Sequence, residues 1–280
     1  MSFSFTKMQG AGNDFLLVQG EEQDWPALAP ALCDRHFGAG ADGLLVALPS
    51  DRADVRMRMY NPDGTEDDCG NGLRCLGLYA VRRGLVPARE FRVETLSGIK
   101  TARVDPSDGP EARVTTDLGR ADLRPASIPA LFPGERALGV SLEAGGETLT
   151  VHSLSTGSAH TVVFEMPDEE RFRRLSPLLE HHPAFPERTS VMWTEIREPD
   201  HARVRIWERG AGETLACGTG AAAVATACYV TGRTGNRVAV ASRGGTLRVE
   251  VGDDLSLRLT GPAAFVYEGV WGGPGKLRSV

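Results

Sequence analysis

Lysine is nearly missing from this chain. Three lysines (Lys7, Lys100, Lys276) stand against 28 arginines in 280 residues. An enzyme that forms a Schiff base with pyridoxal phosphate needs a lysine, so that chemistry is disfavoured from the outset. Basic charge is not in surplus either. The net charge of -6 shows no basic face in bulk and argues against a nucleic-acid partner. No apolar run reaches the roughly 18 residues that would span a membrane, and the N-terminus lacks the basic-then-apolar pattern of a signal peptide. Cysteines number five, an odd count with no dense disulfide framework. The simplest expectation is a reduced, cytoplasmic protein. With 41% hydrophobic and 24% charged residues it can bury a sizeable core, and its length fits about two domains or one large one.

What is present is a duplicated device. Asp68-Cys69-Gly70-Asn71-Gly72 and Ala216-Cys217-Gly218-Thr219-Gly220 lie 148 positions apart. Each follows a strand-like stretch, 55–60 and 203–207, and each opens a helical one. After Cys69, Leu73, Leu76 and Ala80 fall at helical spacing; after Cys217, 221–229 is almost wholly apolar, as in a helix buried all round. Both copies continue as strand, Gly turn and strand: 91–95 and 101–104 in the first, 238–241 and 247–251 in the second. Upstream, the turn at 7–16 aligns with that at 153–162. An internal repeat of this kind predicts two similar α+β domains, each a strand-rich sheet with one long helix. A second helix per half is expected at 27–37 and 169–179. The Pro-rich stretch 124–129 reads as the linker, and the last strand, 263–267, as returning to the first domain. The domain reading is 1–118 plus about 263–271, then 119–262, with 272–280 as a mobile Gly-rich tail.

A cysteine at a helix N-terminus meets unpaired N–H groups and the positive end of the dipole, which favour a thiolate. The same groups bind carboxylates. Two such helices facing one cleft would set a thiolate and a thiol on opposite sides of a carbon beside a carboxylate, an arrangement for inverting a stereocentre by general acid–base catalysis. The fixed N–H groups would stabilise the enediolate-like charge. Cys33, Cys75 and Cys228 read instead as buried structural residues. Cys69 and Cys75 are six apart and Cys217 and Cys228 eleven, which does not match compact zinc spacing, so no metal is expected. Arg209 suits a bidentate grip on a carboxylate. Glu208 suits an ammonium group or a neighbouring thiol. Asn61 gains interest only as the counterpart of Glu208. His160 is balanced between a structural role and tuning a thiol.

With these residues in place, the chain resembles the diaminopimelate epimerase family, pyridoxal-independent amino-acid epimerases, from Phe5 to about Tyr267. The motifs that carry the resemblance are Gly12-Asn13-Asp14-Phe15, Asn61-Pro62-Asp63-Gly64, Cys69-Gly70-Asn71-Gly72, Phe185-Pro186-Glu187-Arg188, Glu208-Arg209-Gly210-Ala211-Gly212-Glu213 and Ala216-Cys217-Gly218-Thr219-Gly220. The resemblance implies two pseudo-symmetric domains, each with its sheet wrapped around a central helix, and an active site in the cleft between them. It implies Cys69 and Cys217 as the catalytic pair, no cofactor, and backbone groups at Gly70-Asn71 and Gly218-Thr219 on the reacting carboxylate. Asn13, Asn61, Glu208 and Arg209 would bind substrate, with His160 and Glu208 adjusting the thiols. Two positions depart from the pattern. Ser158 stands where the family usually has the asparagine of Gly-Asn-Pro-His, and Ser190 replaces another asparagine; both normally hold the substrate's far amino-acid end. A serine offers one short hydroxyl in place of an amide's two donors and carbonyl. The expected partner is a small amino-acid substrate, with no nucleic acid and no membrane; a homodimer is compatible with the sequence. Diaminopimelate is the leading substrate. The alternatives are a cofactor-free racemase of another amino acid, a cysteine hydrolase pairing one thiol with His160, and a non-catalytic carboxylate-binding protein of this fold.

Overall fold

The computed structural model describes residues 2–21 and 23–273. All but the first two residues of the expected tail, Lys276 among them, lie outside this range. The chain divides into two compact units, Met1–Thr116 with Gly261–Val280, and Asp117–Thr260. Both are α+β and rich in strands.

The first unit runs β1 (Phe3–Gly10), β2 (Asn13–Gln19), α1 (Trp25–Cys33), β3 (Gly43–Leu48), β4 (Val55–Tyr60), β5 (Glu66–Asp67), α2 (Gly70–Arg82), β6 (Glu90–Thr95), β7 (Gly98–Val104) and the first part of β8 (Glu111–Arg120). The pair β1–β2 is antiparallel, β2–β3 parallel and β3–β4 antiparallel. Strand β4 then runs parallel to β6, and β6, β7 and β8 form an antiparallel meander. Helix α2 is buried from Asn71 to Ala80. Leu73, Leu76 and Ala80 belong to a core with Phe15, Leu45, Val93 and Val114, so the helical spacing read from the sequence faces the sheet.

The second unit opens with the end of β8 and then β9 (Leu138–Ala144), which has no counterpart preceding β1 among the described residues, and then repeats the order. It comprises β10 (Glu147–Ser155), β11 (Ala159–Val163), α3 (Glu169–Glu180), β12 (Ser190–Glu198), β13 (His201–Glu208), β14 (Gly212–Thr214), α4 (Gly218–Val230), β15 (Arg237–Ser242), β16 (Gly245–Val251) and the start of β17 (Ser256–Trp271). The directions repeat as well: β10–β11 antiparallel, β11–β12 parallel, β12–β13 antiparallel, β13–β15 parallel, β15–β16–β17 antiparallel. Helix α4 is buried from Gly220 to Cys228 and packs among the strands of its own unit, against β16 above all. The sequence repeat is thus a repeat of topology.

Three local expectations differ. Helix α1 begins at Trp25 because the Asp24 side chain caps the N–H of Ala27. It stops at Cys33 because Asp34 Oδ1 accepts from the N–H groups of His36 and Phe37, which turns the chain. The stretch 124–129 is no linker: it sits inside the second unit, with a 3₁₀ turn at Pro125–Ser127. The last strand is far longer than 263–267. Beyond Gly261 it pairs antiparallel with β1, Gln9 opposite Ala264 and Phe3 opposite Trp271.

Candidate active site

Each unit carries half of the constellation expected from the sequence. In the first, Cys69 is the N-cap of α2, with φ −138° and ψ 113°, and its Sγ accepts from the N–H of Gly72 at 3.4 Å. A Cβ at Gly72 would stand 2.8 Å from Leu45 Cδ2, so any side chain there would displace that methyl. The Cys69 thiol donates to Asn13 Oδ1 at 3.7 Å, and Asn71 Nδ2 donates to the same oxygen at 3.2 Å. Asp42 sets the orientation of Asn13, since its Oδ2 accepts from Asn13 Nδ2 at 2.7 Å. A carboxylate can only accept, so the amide oxygen must turn towards the cysteine. Asp42 is itself paired with Arg35 at 2.6 Å. Arg35 and Lys7 also bind Asp14. Burial alone would raise Asp14, but these hydrogen bonds outweigh it and hold the carboxyl at about 2.

Arg74, one turn into α2, is fully buried. Its guanidinium donates to Asn71 Oδ1 at 2.8 Å, to the Pro262 carbonyl at 3.2 Å and to that of Gly70 at 3.4 Å. It is a buried cation held by neutral acceptors. Burial pulls its pKa down, while negative charge at Cys75 or Cys69 would oppose that. Asn61 ends β4 in a turn: its side chain donates to Thr65 Oγ1 at 3.1 Å, so its bonds stay local.

In the second unit Cys217 is the N-cap of α4, with φ −134° and ψ 116°, and its Sγ accepts from the N–H of Gly220 at 3.3 Å. A Cβ on Gly220 would stand 2.6 Å from Met192 Cε, on the strand equivalent to that of Leu45. The Thr219 hydroxyl lies 3.4 Å from the sulfur, and the Thr219 carbonyl accepts from Thr156 Oγ1 at 2.9 Å. The expectation that the helix terminus leaves this thiol acidic is not met. Cys217 is only 7% exposed. Burial pushes its thiol up, and the charge of Glu208 pushes it further, more than the hydrogen bonds from Thr219 and Gly220 lower it. Cys33, Cys75 and Cys228 are buried and likewise pushed up by burial, to about 11, 12 and 12, as inert core thiols should be.

A polar chain leads across the same unit. The Ser158 hydroxyl meets His160 Nε2 at 3.0 Å, and His160 stands in register with Ser190 on the parallel pair β11–β12. The Ser190 hydroxyl accepts from the backbone N–H of Arg209 at 3.1 Å, and Arg209 NH1 donates to the Glu187 carbonyl at 3.1 Å. Glu208 Oε1 accepts from the Thr214 hydroxyl. His160 is fully buried, and its Nδ1 has no hydrogen-bond partner among the described residues. Burial, and then the charge of Arg209, hold its pKa down at about 3. The ring is therefore neutral at ordinary pH and can influence a thiol only through hydrogen bonding. Asn13, Asn71 and Cys69 thus form one cluster, as do Glu208, Thr219 and Cys217, and Ser158, His160, Ser190 and Arg209 form a third. Asp42, Arg74 and Thr156 were not singled out in the sequence. Arg74 carries one usable signal, a charge at i+3 from Asn71 in the middle of a helix whose other charge, Arg82, lies in its last turn.

The comparisons with known proteins agree with this architecture. The family model described as Diaminopimelate epimerase matches residues 5–123 and 152–266. A diaminopimelate epimerase from Desulforudis audaxviator is 48% identical over 274 residues, covering 95% of this chain and 98% of that protein. One from Pelotomaculum thermopropionicum is 44% identical over 272 residues, covering 95% and 97%. Among solved structures, a probable proline racemase from Agrobacterium radiobacter superposes with a TM-score of 0.73 at 15% identity, covering 98% of this chain and 94% of that one; it shares the fold. On the strength of the family match and these relatives, the chain belongs to the diaminopimelate epimerase family.

Proposed function

We propose that this protein epimerises LL-diaminopimelate to the meso form without a cofactor, with the thiols of Cys69 and Cys217 as its acid–base pair. Membership of the family supports the reaction. The observation that carries the mechanism is the duplicated cap: two cysteines, one in each unit, with matching backbone angles and the same bond from the third residue of the helix. In one direction the Cys69 thiolate takes the α-proton, and the Cys217 thiol delivers its proton to the opposite face. The pair is then left as Cys69 thiol and Cys217 thiolate, the state that starts the reverse reaction. Amides at the starts of α2 and α4 hold the reacting carboxylate as it becomes enediolate-like. Burial, and then the charge of Glu208, hold Cys217 protonated. A substrate ammonium group beside Glu208 would answer that charge and free the thiol to ionise.

Arg209, Glu208 and Asn61 suit the distal amino-acid end of the substrate. Ser158 and Ser190, where the family usually has asparagines, motivate a second reading, a cofactor-free racemase of another amino acid. The protein is read as cytoplasmic, and a homodimer is compatible with its sequence. No helix among the described residues is long and apolar enough to cross a membrane. The test is solvent deuterium uptake at the α-carbon across a panel of amino acids, with Cys69→Ala and Cys217→Ala beside the wild type. Diaminopimelate should exchange fastest, and each variant should lose epimerisation. Full turnover in either variant would sink the two-thiol mechanism, and faster exchange of another amino acid would move the substrate.

A further inference from the structure

The turn that carries Glu208 and Arg209 is held at both ends by one buried carboxylate. Glu180 closes α3 and is 4% exposed. Its Oε2 accepts from the indole Nε1 of Trp207 at 2.7 Å, the residue before Glu208. Its Oε1 accepts from the backbone N–H of Gly210 at 2.8 Å, the residue after Arg209. The Arg188 guanidinium approaches the same Oε1 at 3.4 Å. The main-chain carbonyl of Glu180 accepts from the N–H of Thr189 at 3.3 Å, beside Ser190, whose hydroxyl accepts from Arg209. A buried carboxylate is costly unless its oxygens are paired. Here both are used, and the N–H groups they take lie on either side of Glu208-Arg209.

We infer that Glu180 is a positioning residue for Glu208 and Arg209. It reaches no substrate. It fixes the strand end at Trp207 and the turn at Gly210, so that the two charged side chains between them leave a backbone already set. This rests on the reading of Glu208 and Arg209 as the groups that hold the far amino-acid end of the substrate. A role limited to ending α3 would need only one of the two oxygens and would not involve both flanks of the pair.

Glu180→Gln tests the assignment. A glutamine of the same shape has one acceptor oxygen and a donating NH₂, so it can hold one flank but not both. The readout is the ratio of kcat/KM for LL-diaminopimelate to that for 2-aminopimelate, which lacks the far ammonium group, each followed by α-proton exchange. The ratio should fall about tenfold in Glu180→Gln, mainly through KM for diaminopimelate, as expected when a binding group is displaced. Loss of folded protein alone would scale both rates and leave the ratio intact. An unchanged ratio in the folded variant overturns the inference. Should Glu180→Gln not fold, Trp207→Phe removes only the indole donor, and the ratio should then fall about threefold; no fall overturns it. Amide hydrogen exchange at Gly210 reads the clamp without turnover and should quicken at least tenfold in the variant; unchanged protection overturns the clamp. If the wild type exchanges no proton with diaminopimelate, the epimerase reading fails separately, and Gly210 protection still decides whether Glu180 holds the turn.

Discussion

The backbone N–H of Arg209 donates to the Ser190 hydroxyl at 3.1 Å. The serine at this departure from the family pattern is engaged in holding the turn beside it. Ser190→Ala removes that acceptor and leaves the Arg209 N–H to water. With about 1 kcal/mol at stake, KM for LL-diaminopimelate should rise about fivefold, while kcat changes less than twofold. Steady-state kinetics decide it. An equal loss in kcat with KM unmoved would place the hydroxyl in the chemistry rather than in binding.

The two caps differ in access. Cys69 is partly exposed, whereas Cys217 is buried and its thiol is pushed up by burial and by Glu208. Iodoacetamide near neutral pH should therefore modify Cys69 well before Cys217, as read by peptide mass spectrometry. Glu208→Gln removes a charge that opposes the Cys217 thiolate and should speed alkylation there. Modification of Cys217 first in the wild type would contradict the burial argument.

Arg74 places a buried positive charge behind Asn71, and a thiolate at Cys69 would oppose the fall in its pKa. By reciprocity the guanidinium favours that thiolate. Arg74→Met keeps most of the volume and discards the charge, so alkylation of Cys69 should slow about fivefold or more. Replacing a buried charge by a well-packed apolar chain often costs little stability, so the melting transition should persist. An unchanged alkylation rate would leave Arg74 with a packing role only.

His160 links the site to acid sensitivity. Burial and then Arg209 lower its pKa from 6.5 to about 3. The unfolded chain takes up this proton below about 6.5, and the folded chain only near 3. Stability from the neutral ring is therefore complete above the higher value and drains away as pH falls towards the lower one. Urea unfolding between these limits should show a loss approaching about 1.4 kcal/mol per pH unit beyond that of His160→Gln. Asp14, held at about 2 instead of 3.8, adds its own loss only at the acid end. Equal slopes in wild type and variant would remove His160 as the source.

Much of this fold could be read before any coordinates, because a buried helix and its flanking strands leave strong periodicities. The runs 55–60 and 221–229 show how much apolar patterning reveals, and the cysteines stood out because Gly-Asn-Gly and Gly-Thr-Gly make poor core helix. Residues whose roles depend on partners distant in the chain leave no such pattern. Glu180 looks like an ordinary charged helix end until Trp207 and Gly210 fold onto it. Asp42 sits in Gly40-Ala41-Asp42-Gly43, which reads as a turn, and only its bond to Asn13 gives it a task. The stretch 124–129 misled for the opposite reason: its prolines mark a tight turn within a unit as readily as a boundary between two. The raised pKa of the Cys217 thiol is not legible because a helix terminus is local and visible in sequence, whereas burial is not.

Strand β17 carries a consequence for how the molecule is made. The strand that completes the first unit, from Gly261 onwards, leaves the ribosome only after the whole of the second unit has been made, yet it pairs with β1, which precedes that unit. Until then β1 has β2 on one side and unpaired N–H and C=O groups on the other, an edge that invites pairing with other chains. At the usual pace of translation the wait is on the order of tens of seconds. The unit begun before the other is completed only after it, and a chain broken off before Gly261 would carry that open edge permanently.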